Sequence, residues 1–333
     1  MQSFMSKFVA LFASIILWFT SVFGLGAKGQ NAALRLLYPD YAGARTQLDE
    51  LPGLADGFTP QGVTYLPEED VYLLCGYMDD GTASRLYVLR GGEYTELTML
   101  QQNGSVYTGH AGGITAAGAY VYISNNKRLY VLEKAAVLSA NGGDELPFVG
   151  SVAVPCRASF CASDAQRVYV GEYHRDEGYE TDPSHELTAP DGTVYKALVF
   201  GYTISPDAPF GLLSDSPAVA FSTCDNVQGF TLTPDGTAVL SCSAGSSDSK
   251  LRFYHGAGEP DGAFPLDGDQ IPLYYLTGER LLADITLPRM SEDIEYDDGE
   301  IVLVFESGAK QYASNRPFAE KNIVRLSVDA LLK

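Results

Sequence analysis

Five stretches of this 333-residue chain repeat one pattern, and polar side chains recur at two fixed places within it. The stretches read PQGVTYLPEEDVYLLCGY from Pro60, AGGITAAGAYVYISNN from Ala111, ASFCASDAQRVYVGEY from Ala158, VQGFTLTPDGTAVLSCSA from Val227 and SEDIEYDDGEIVLVFES from Ser291. The first place, where the first apolar run opens, holds Gln61, Gly112 with His110 just before it, Ser159, Gln228 and Glu292. The second, where the second run ends, holds Gly76, Asn125, Glu172, Ser243 and Glu306. Carboxylates and amide oxygens are the ligands a hard cation such as Ca²⁺ takes, about 6–8 of them counting waters. Asn125, Glu172, Glu292 and Glu306 are therefore the candidate metal ligands. Gln61, His110, Ser159 and Gln228 are the candidates for holding an organic ligand by hydrogen bonds. His110, set between glycines that permit close backbone approach, is also the candidate general base. Carboxylates clustered without a basic neighbour repel unless protonated, hydrated or bound to a cation. Ordered water at solvated strand ends accounts for the same polarity with no function at all.

These residues need a scaffold that brings distant segments together. Each stretch is a short alternating strand, a turn rich in Gly, Asp, Glu or Ala, and a second strand of Val, Tyr, Leu and Ile. Third strands follow at 84–89, 127–132, 197–204, 250–255 and 322–328, and fourth strands at 94–100, 148–154, 218–222 and 280–287. Gln61, Gly112, Ser159, Gln228 and Glu292 stand 51, 47, 69 and 64 residues apart. The short intervals match the ~40–50 residues of a propeller blade. The long ones contain polar, turn-rich insertions at 174–196 and 256–270, without helical periodicity. The expected fold is all-β, a single β-propeller of five blades. The fifth copy lacks a fourth strand, and a segment between Ala33 and Leu51, either LRLLY or QLDEL, is expected to supply it and close the ring. A sixth blade would have to come from that segment or an insertion, and the segment is too short. In such a ring both polar places lie near the mouth of a central channel.

The expected organisation is an export signal or membrane anchor at 1–27, a segment at 28–58 that supplies the closing strand, and the propeller at 59–333. Lys7 precedes an apolar run of about 18 residues to Gly26, at the border between a signal and a spanning helix. The chain is thus expected at the cell surface or outside the cell, touching membrane only through this segment. The net charge of −20 excludes the basic footprint that nucleic acid requires. Five cysteines leave at least one unpaired. Cys75 and Cys242 share one column of the repeat as small buried hydrophobes, while Cys156 and Cys161 are spaced to close a small disulfide loop. His174 and His185 fall in a polar insertion expected to be a loose loop. No nucleophile elbow, phosphate loop or EF-hand is present.

The segments PQGVTYL…YVL, GHAGGI…RLYVL and VQGFTLTPDGTAVLS resemble secreted bacterial β-propeller proteins over about residues 59–332. More distantly the chain is similar to gluconolactonase and paraoxonase-type propellers. Those are six-bladed hydrolases that hold Ca²⁺ on the channel axis, and the resemblance implies that part for Asn125, Glu172, Glu292 and Glu306. Five copies instead of six, and no matched catalytic dyad, depart from that pattern. Two functional readings follow. One is a monomeric binding module that takes a small molecule, glycan or protein at the channel mouth and long loops. The other is a Ca²⁺-dependent lactonase or esterase with His110 as base. An oligosaccharide-cleaving enzyme would need two carboxylates about 5–9.5 Å apart.

Overall fold

The computed structural model describes residues 26–256, 258–312 and 318–333, with side chains from residue 31 onward. The expected export segment therefore falls almost wholly outside the described residues. No helix among the described residues is long and apolar enough to cross a membrane.

The chain forms a β-propeller of five blades. Blade 1 contains Phe58–Leu66, Val71–Met78, Arg85–Arg90 and Glu93–Leu100, from the axis outward. Blade 2 contains Gly113–Ala117, Tyr120–Asn125, Arg128–Glu133 and Gly150–Ala153. Blade 3 begins with Phe160–Ser163, Arg167–Gly171, Ala197–Thr203 and Val219–Thr223; blade 4 has Val227–Leu232, Ala238–Cys242, Ser249–Tyr254 and Leu281–Leu287. Blade 5 has Ser291–Asp297, Glu300–Phe305 and Asn322–Ser327, and its outermost strand is Arg45–Glu50 from the other end of the chain. Of the two segments expected to close the ring, QLDEL does so, with Gln47 opposite Val324. LRLLY lies at the end of the helix Gly26–Leu37, which leads through a second helix, Pro39–Ala44, to the closing strand. Tyr38 and Tyr41 pack these helices edge-on against Phe318 and Phe305.

Successive side chains of a strand point to opposite faces. Each inner strand pair here is sandwiched between two neighbouring blades, so both faces are apolar. The core accordingly divides into five clusters, one per blade interface. Leu73, Cys75 and Leu86 of blade 1 meet Ile114, Val121 and Ile123 of blade 2. Leu74 and Tyr87, on the other face of blade 1, meet Val302, Val304 and Ile323 of blade 5. The remaining three interfaces are built the same way.

Three inner strands lie against their neighbours with no room for a side chain. A Cβ on Gly62 would sit 2.6 Å from Ile114 N, one on Gly113 2.5 Å from Cys161 N, and one on Gly229 2.8 Å from Ile294 N. The equivalent position in blade 5 is Asp293. Its carboxyl crosses the axis and accepts from Ile114 N, two blades away, at 3.3 Å, with the Val63 and Ile294 amides also donating. Asp293 is fully buried and its other oxygen, Oδ1, has no described partner. Burial pushes its carboxyl well above the ordinary range. Asp293→Asn keeps an acceptor there and is expected to leave stability within about 1 kcal/mol. Asp293→Ala strands the amides and is expected to cost roughly 2–3 kcal/mol. Denaturant midpoints of the two variants check this.

The insertions differ from the loose loops expected. Residues 256–270 lead into a hairpin, Gly262–Leu266 with Asp269–Tyr275, whose second strand pairs in parallel with Val219–Thr223 and widens blade 3 to six strands. Residues 174–196 fold back into a small hairpin, Leu187–Thr188 with Val194–Tyr195. That insertion is fixed at its base by His174 Nδ1 at 2.9 Å from Asp225 and by Tyr173 Oη donating to Asn226 at 3.1 Å. The Cys156–Cys161 disulfide is not formed. Both thiols are free and buried, each directed at a backbone carbonyl, Val170 O and Tyr122 O.

Candidate functional site

Above the Asp293 plug the channel opens into a cavity of about 700 Å³. The fold brings a residue of every blade to it. Gln61 and Tyr77 come from blade 1, His110 from the segment leading into blade 2 and Asn125 from blade 2 itself, Ser159 and Glu172 from blade 3, Gln228 from blade 4 and Glu306 from blade 5. Glu292 is not among the lining residues: it is buried behind them, accepting from Gln228 Nε2 at 3.3 Å.

Local irregularities aim these side chains. The pairing register slips between Pro60 and Gly62, between Val227 and Gly229, and between Ser291 and Ile294. Gln61, Gln228 and Glu292 are thus bulge residues, and a bulge turns a side chain out of the alternating pattern. Four blades also begin their inner strands through a left-handed non-glycine residue: Ala111, Ala158, Asn226 and Met290. Such residues each carry a conformational cost of order 1–3 kcal/mol, and they cluster where geometry is held for a purpose.

Two polar networks line the cavity. In the first, Gln61 Nε2 donates to Glu306 at 3.2 Å, Tyr312 bonds the same carboxylate, and Tyr77 and Tyr312 hydroxyls stand 3.4 Å apart. Gln311 Nε2 donates to Tyr77 at 3.0 Å and to Thr59. Burial pushes Glu306 up to about 7 despite these bonds. Burial, with repulsion from Glu306 and Asp293, pushes Glu292 well above the ordinary range. Near neutral pH Glu306 therefore lines this end of the cavity as carboxylic acid as much as carboxylate.

The second network was missed by sequence reasoning. His185, from the 174–196 insertion, is buried with Nδ1 2.5 Å from Glu172 Oε1. The same carboxylate accepts from the backbone amides of Leu198 and Arg157 at 3.2 Å. The imidazole packs edge-on against Phe200 and Phe264. A signal was available: Glu172 is a strand-end acid, and the insertion that follows it carries histidines. Their pairing depends on how the insertion turns back, which no spacing rule gives.

The four candidate metal ligands do not gather into one cluster. Glu172 is committed to His185 and two amides, and the Asn125 amide packs against Gly109. Glu292 and Glu306 remain as neighbours, each bonded to a glutamine amide. Among the described residues, no group of three or more His, Cys, Asp or Glu is placed to hold a metal ion. That donor set is short of what Ca²⁺ takes. His110 stands at the rim, stacked on Tyr77 with ring centroids 4.7 Å apart, and is the most exposed of the candidates.

No protein-family model and no curated protein sequence matches the chain. Among solved structures it is similar to the PQQ-bound form of an aldose sugar dehydrogenase from Streptomyces coelicolor, at 16% identity and a TM-score of 0.44, covering 85% of this chain and 97% of that one. It is also similar to the glutaminyl cyclase of Myxococcus xanthus, at 10% identity and a TM-score of 0.40, covering 85% and 96%. A third similar chain comes from a nidogen/laminin complex, at 13% identity and a TM-score of 0.34, covering 75% and 73%. At these values the likeness assigns no chemistry to this chain.

Proposed function

We propose that the protein is a binding module that takes a hydroxylated small molecule or glycan end at the channel mouth. The observation that carries this reading is the convergence of all five blades on one cavity lined by amides, carboxyls and tyrosines. Amides and neutral acids both donate and accept, which suits hydroxyl groups. Tyr77, Tyr173, Tyr179 and Tyr312 add flat apolar faces around them. The insertion carrying Tyr179 and Thr181 forms one lip, which suits a ligand longer than the cavity. Export or tethering through the N-terminal segment belongs to the same proposal. It is supported by the Lys7-flanked apolar run.

Calorimetric titration of the soluble chain with a panel of mono- and oligosaccharides tests it. Binding by the wild type, weakened about tenfold or more by Gln61→Ala or Gln228→Ala, is expected. No binding at millimolar sugar, or binding indifferent to both substitutions, would reject the mouth as the site.

One observation favours a second reading, a hydrolase. An imidazole whose Nδ1 is tied to a carboxylate is held as a general base is held. His185 lines the cavity, and no described residue bonds its Nε2. This replaces His110 with His185 as the proposed base and activates water without a metal. Hydrolysis of esters or lactones that is lost in His185→Gln but survives chelation supports it. Metal bound in stoichiometric amount, with chelator-sensitive activity, would return the reading to Glu292 and Glu306 as ligands.

A further inference from the structure

Away from the channel axis, one pair of side chains is arranged for covalent chemistry. The sulfurs of Cys224 and Cys242 lie 3.8 Å apart. The Arg252 guanidinium donates from Nη1 to Cys224 Sγ at 3.2 Å. Cys224 sits on the crossover from the outer part of blade 3 to the inner strand of blade 4, just after Val219–Thr223. Cys242 ends the second strand of blade 4, and Arg252 lies on the third strand, paired with Leu240. Cys224 is partly exposed, whereas Cys242 is buried. Tyr254 and Tyr195 face Cys224 as well, and Asp284 stands 3.4 Å from Arg252.

We propose that Cys224 and Cys242 form a hydroperoxide-reactive dithiol site, with Cys224 as the attacking sulfur and Cys242 as the resolving one. In the first step the Cys224 thiolate attacks a peroxide oxygen. An S–O bond forms, the O–O bond breaks, and the departing oxygen leaves as water or an alcohol after taking a proton. Cys224 is then a sulfenic acid. In the second step Cys242 sulfur attacks Cys224 sulfur, the S–O bond breaks, and hydroxide leaves as water with the proton Cys242 gives up. Two thiols are oxidised to a disulfide and one peroxide is reduced. The sulfurs must close from 3.8 Å to a bond of about 2.0 Å.

The roles follow from the surroundings. Cys224 is the less buried residue of the pair, and a narrow, largely enclosed site suits a small oxidant better than a protein disulfide. The Cys242 thiol and the Arg252 guanidinium both favour the Cys224 thiolate and hold it down to about 7. The bond to Cys224, together with burial, pushes Cys242 well up, so it stays a thiol until Cys224 is oxidised. Cys75, Cys156 and Cys161 are fully buried and pushed up by burial, which makes them internal controls. Asp225 and Asn226, the next two residues after Cys224, anchor the cavity lip through His174 and Tyr173. Oxidation at this crossover therefore acts on the segment that carries the lip.

The test uses the full chain, reduced, freed of reductant and treated with one equivalent of hydrogen peroxide. Intact mass should fall by two hydrogens, and peptide mapping should give one cross-link, Cys224 to Cys242, reversed by reductant. Cys242→Ser should stop at a Cys224 sulfenic acid that dimedone traps. Arg252→Met should slow oxidation of Cys224 at pH 7 several-fold, since the guanidinium supplies part of what favours the thiolate while the Cys242 thiol still supplies the rest. A cross-link through any other cysteine, or thiols unchanged at both positions, would overturn the proposal. The wild type alone gives a test independent of folding in the variants. The pH midpoint of Cys224 alkylation is expected near 7, and a midpoint above about 8.5, the value of an unperturbed thiol, would equally overturn it.

Discussion

Gly113→Ala is expected to cost about 3 kcal/mol of stability, enough to lower the denaturation midpoint sharply or prevent folding. The added methyl would meet Cys161 N at 2.5 Å and Phe160 Cα at 2.9 Å. Both are backbone atoms of an inner strand, which cannot move without disturbing its pairing to Arg167–Gly171. Overpacking of this kind costs about 1–3 kcal/mol where side chains can yield, and more where they cannot. Gly62→Ala, directed at Ile114 N, should behave alike. Gly142→Ala, with no atom within 4 Å, should be close to neutral. Urea midpoints of the three variants check the argument. If Gly113→Ala matches Gly142→Ala, the inner strands are not in the contact described here.

Stability should fall as pH rises from 5 to 8, the reverse of a protein held by ordinary ionised carboxylates. Glu306 is raised from 4.5 to about 7, and Glu295 from 4.5 to about 8, both by burial. Glu292 and Asp293 are raised well above the ordinary range, chiefly by the same cause. Between the unfolded and folded values of each group the native state binds a proton that the unfolded chain has released. Stability then falls with increasing pH at about 1.4 kcal/mol per unit for each group. For Glu306 the contribution is complete below about 4.5 and gone above about 7, a loss of roughly 3 kcal/mol. Glu306→Gln should recover most of that at pH 8, leave pH 5 almost unchanged, and flatten the profile. Melting curves across this range decide the matter. A wild-type melting temperature that climbs from pH 5 to pH 8 would show that these acids are ionised at little cost.

The repeat made the ring legible in the chain. Strands with apolar residues on both faces read as strands at almost any position, and the missing fourth strand after Asn322–Ser327 pointed to the N-terminal segment. The polar places flanking the inner strands could be placed near a mouth for the same reason. What stayed hidden depended on geometry outside the repeat. Asp293 occupies a column that holds Gly62, Gly113 and Gly229 in three of the other four blades and Phe160 in the remaining one, and its role on the axis depends on how far those glycines let the strands close. His185 reaches Glu172 through the return of an insertion. The hairpin Gly262–Leu266 and Asp269–Tyr275 joins a sheet two segments back, because the outer edge of blade 3 was the open backbone within reach. Cys224 belongs to a crossover with no place in the repeat, so its meeting with Cys242 had no column to reveal it.

The strand Arg45–Glu50 is made early and finds its partner, Asn322–Ser327, only after some 270 residues more have been synthesised. Throughout that interval a growing chain carries both an unpaired strand and an unfinished sheet. Assembly of the ring is therefore a race in which the earliest backbone waits for the latest, and its vulnerable period scales with the length of the message between them. A chain stalled anywhere before residue 322 is an open arc with two sticky edges, a substrate for chaperones and proteases. Once Arg45–Glu50 docks, two strands some 270 residues apart hold each other, and opening the ring between them has to break that seam.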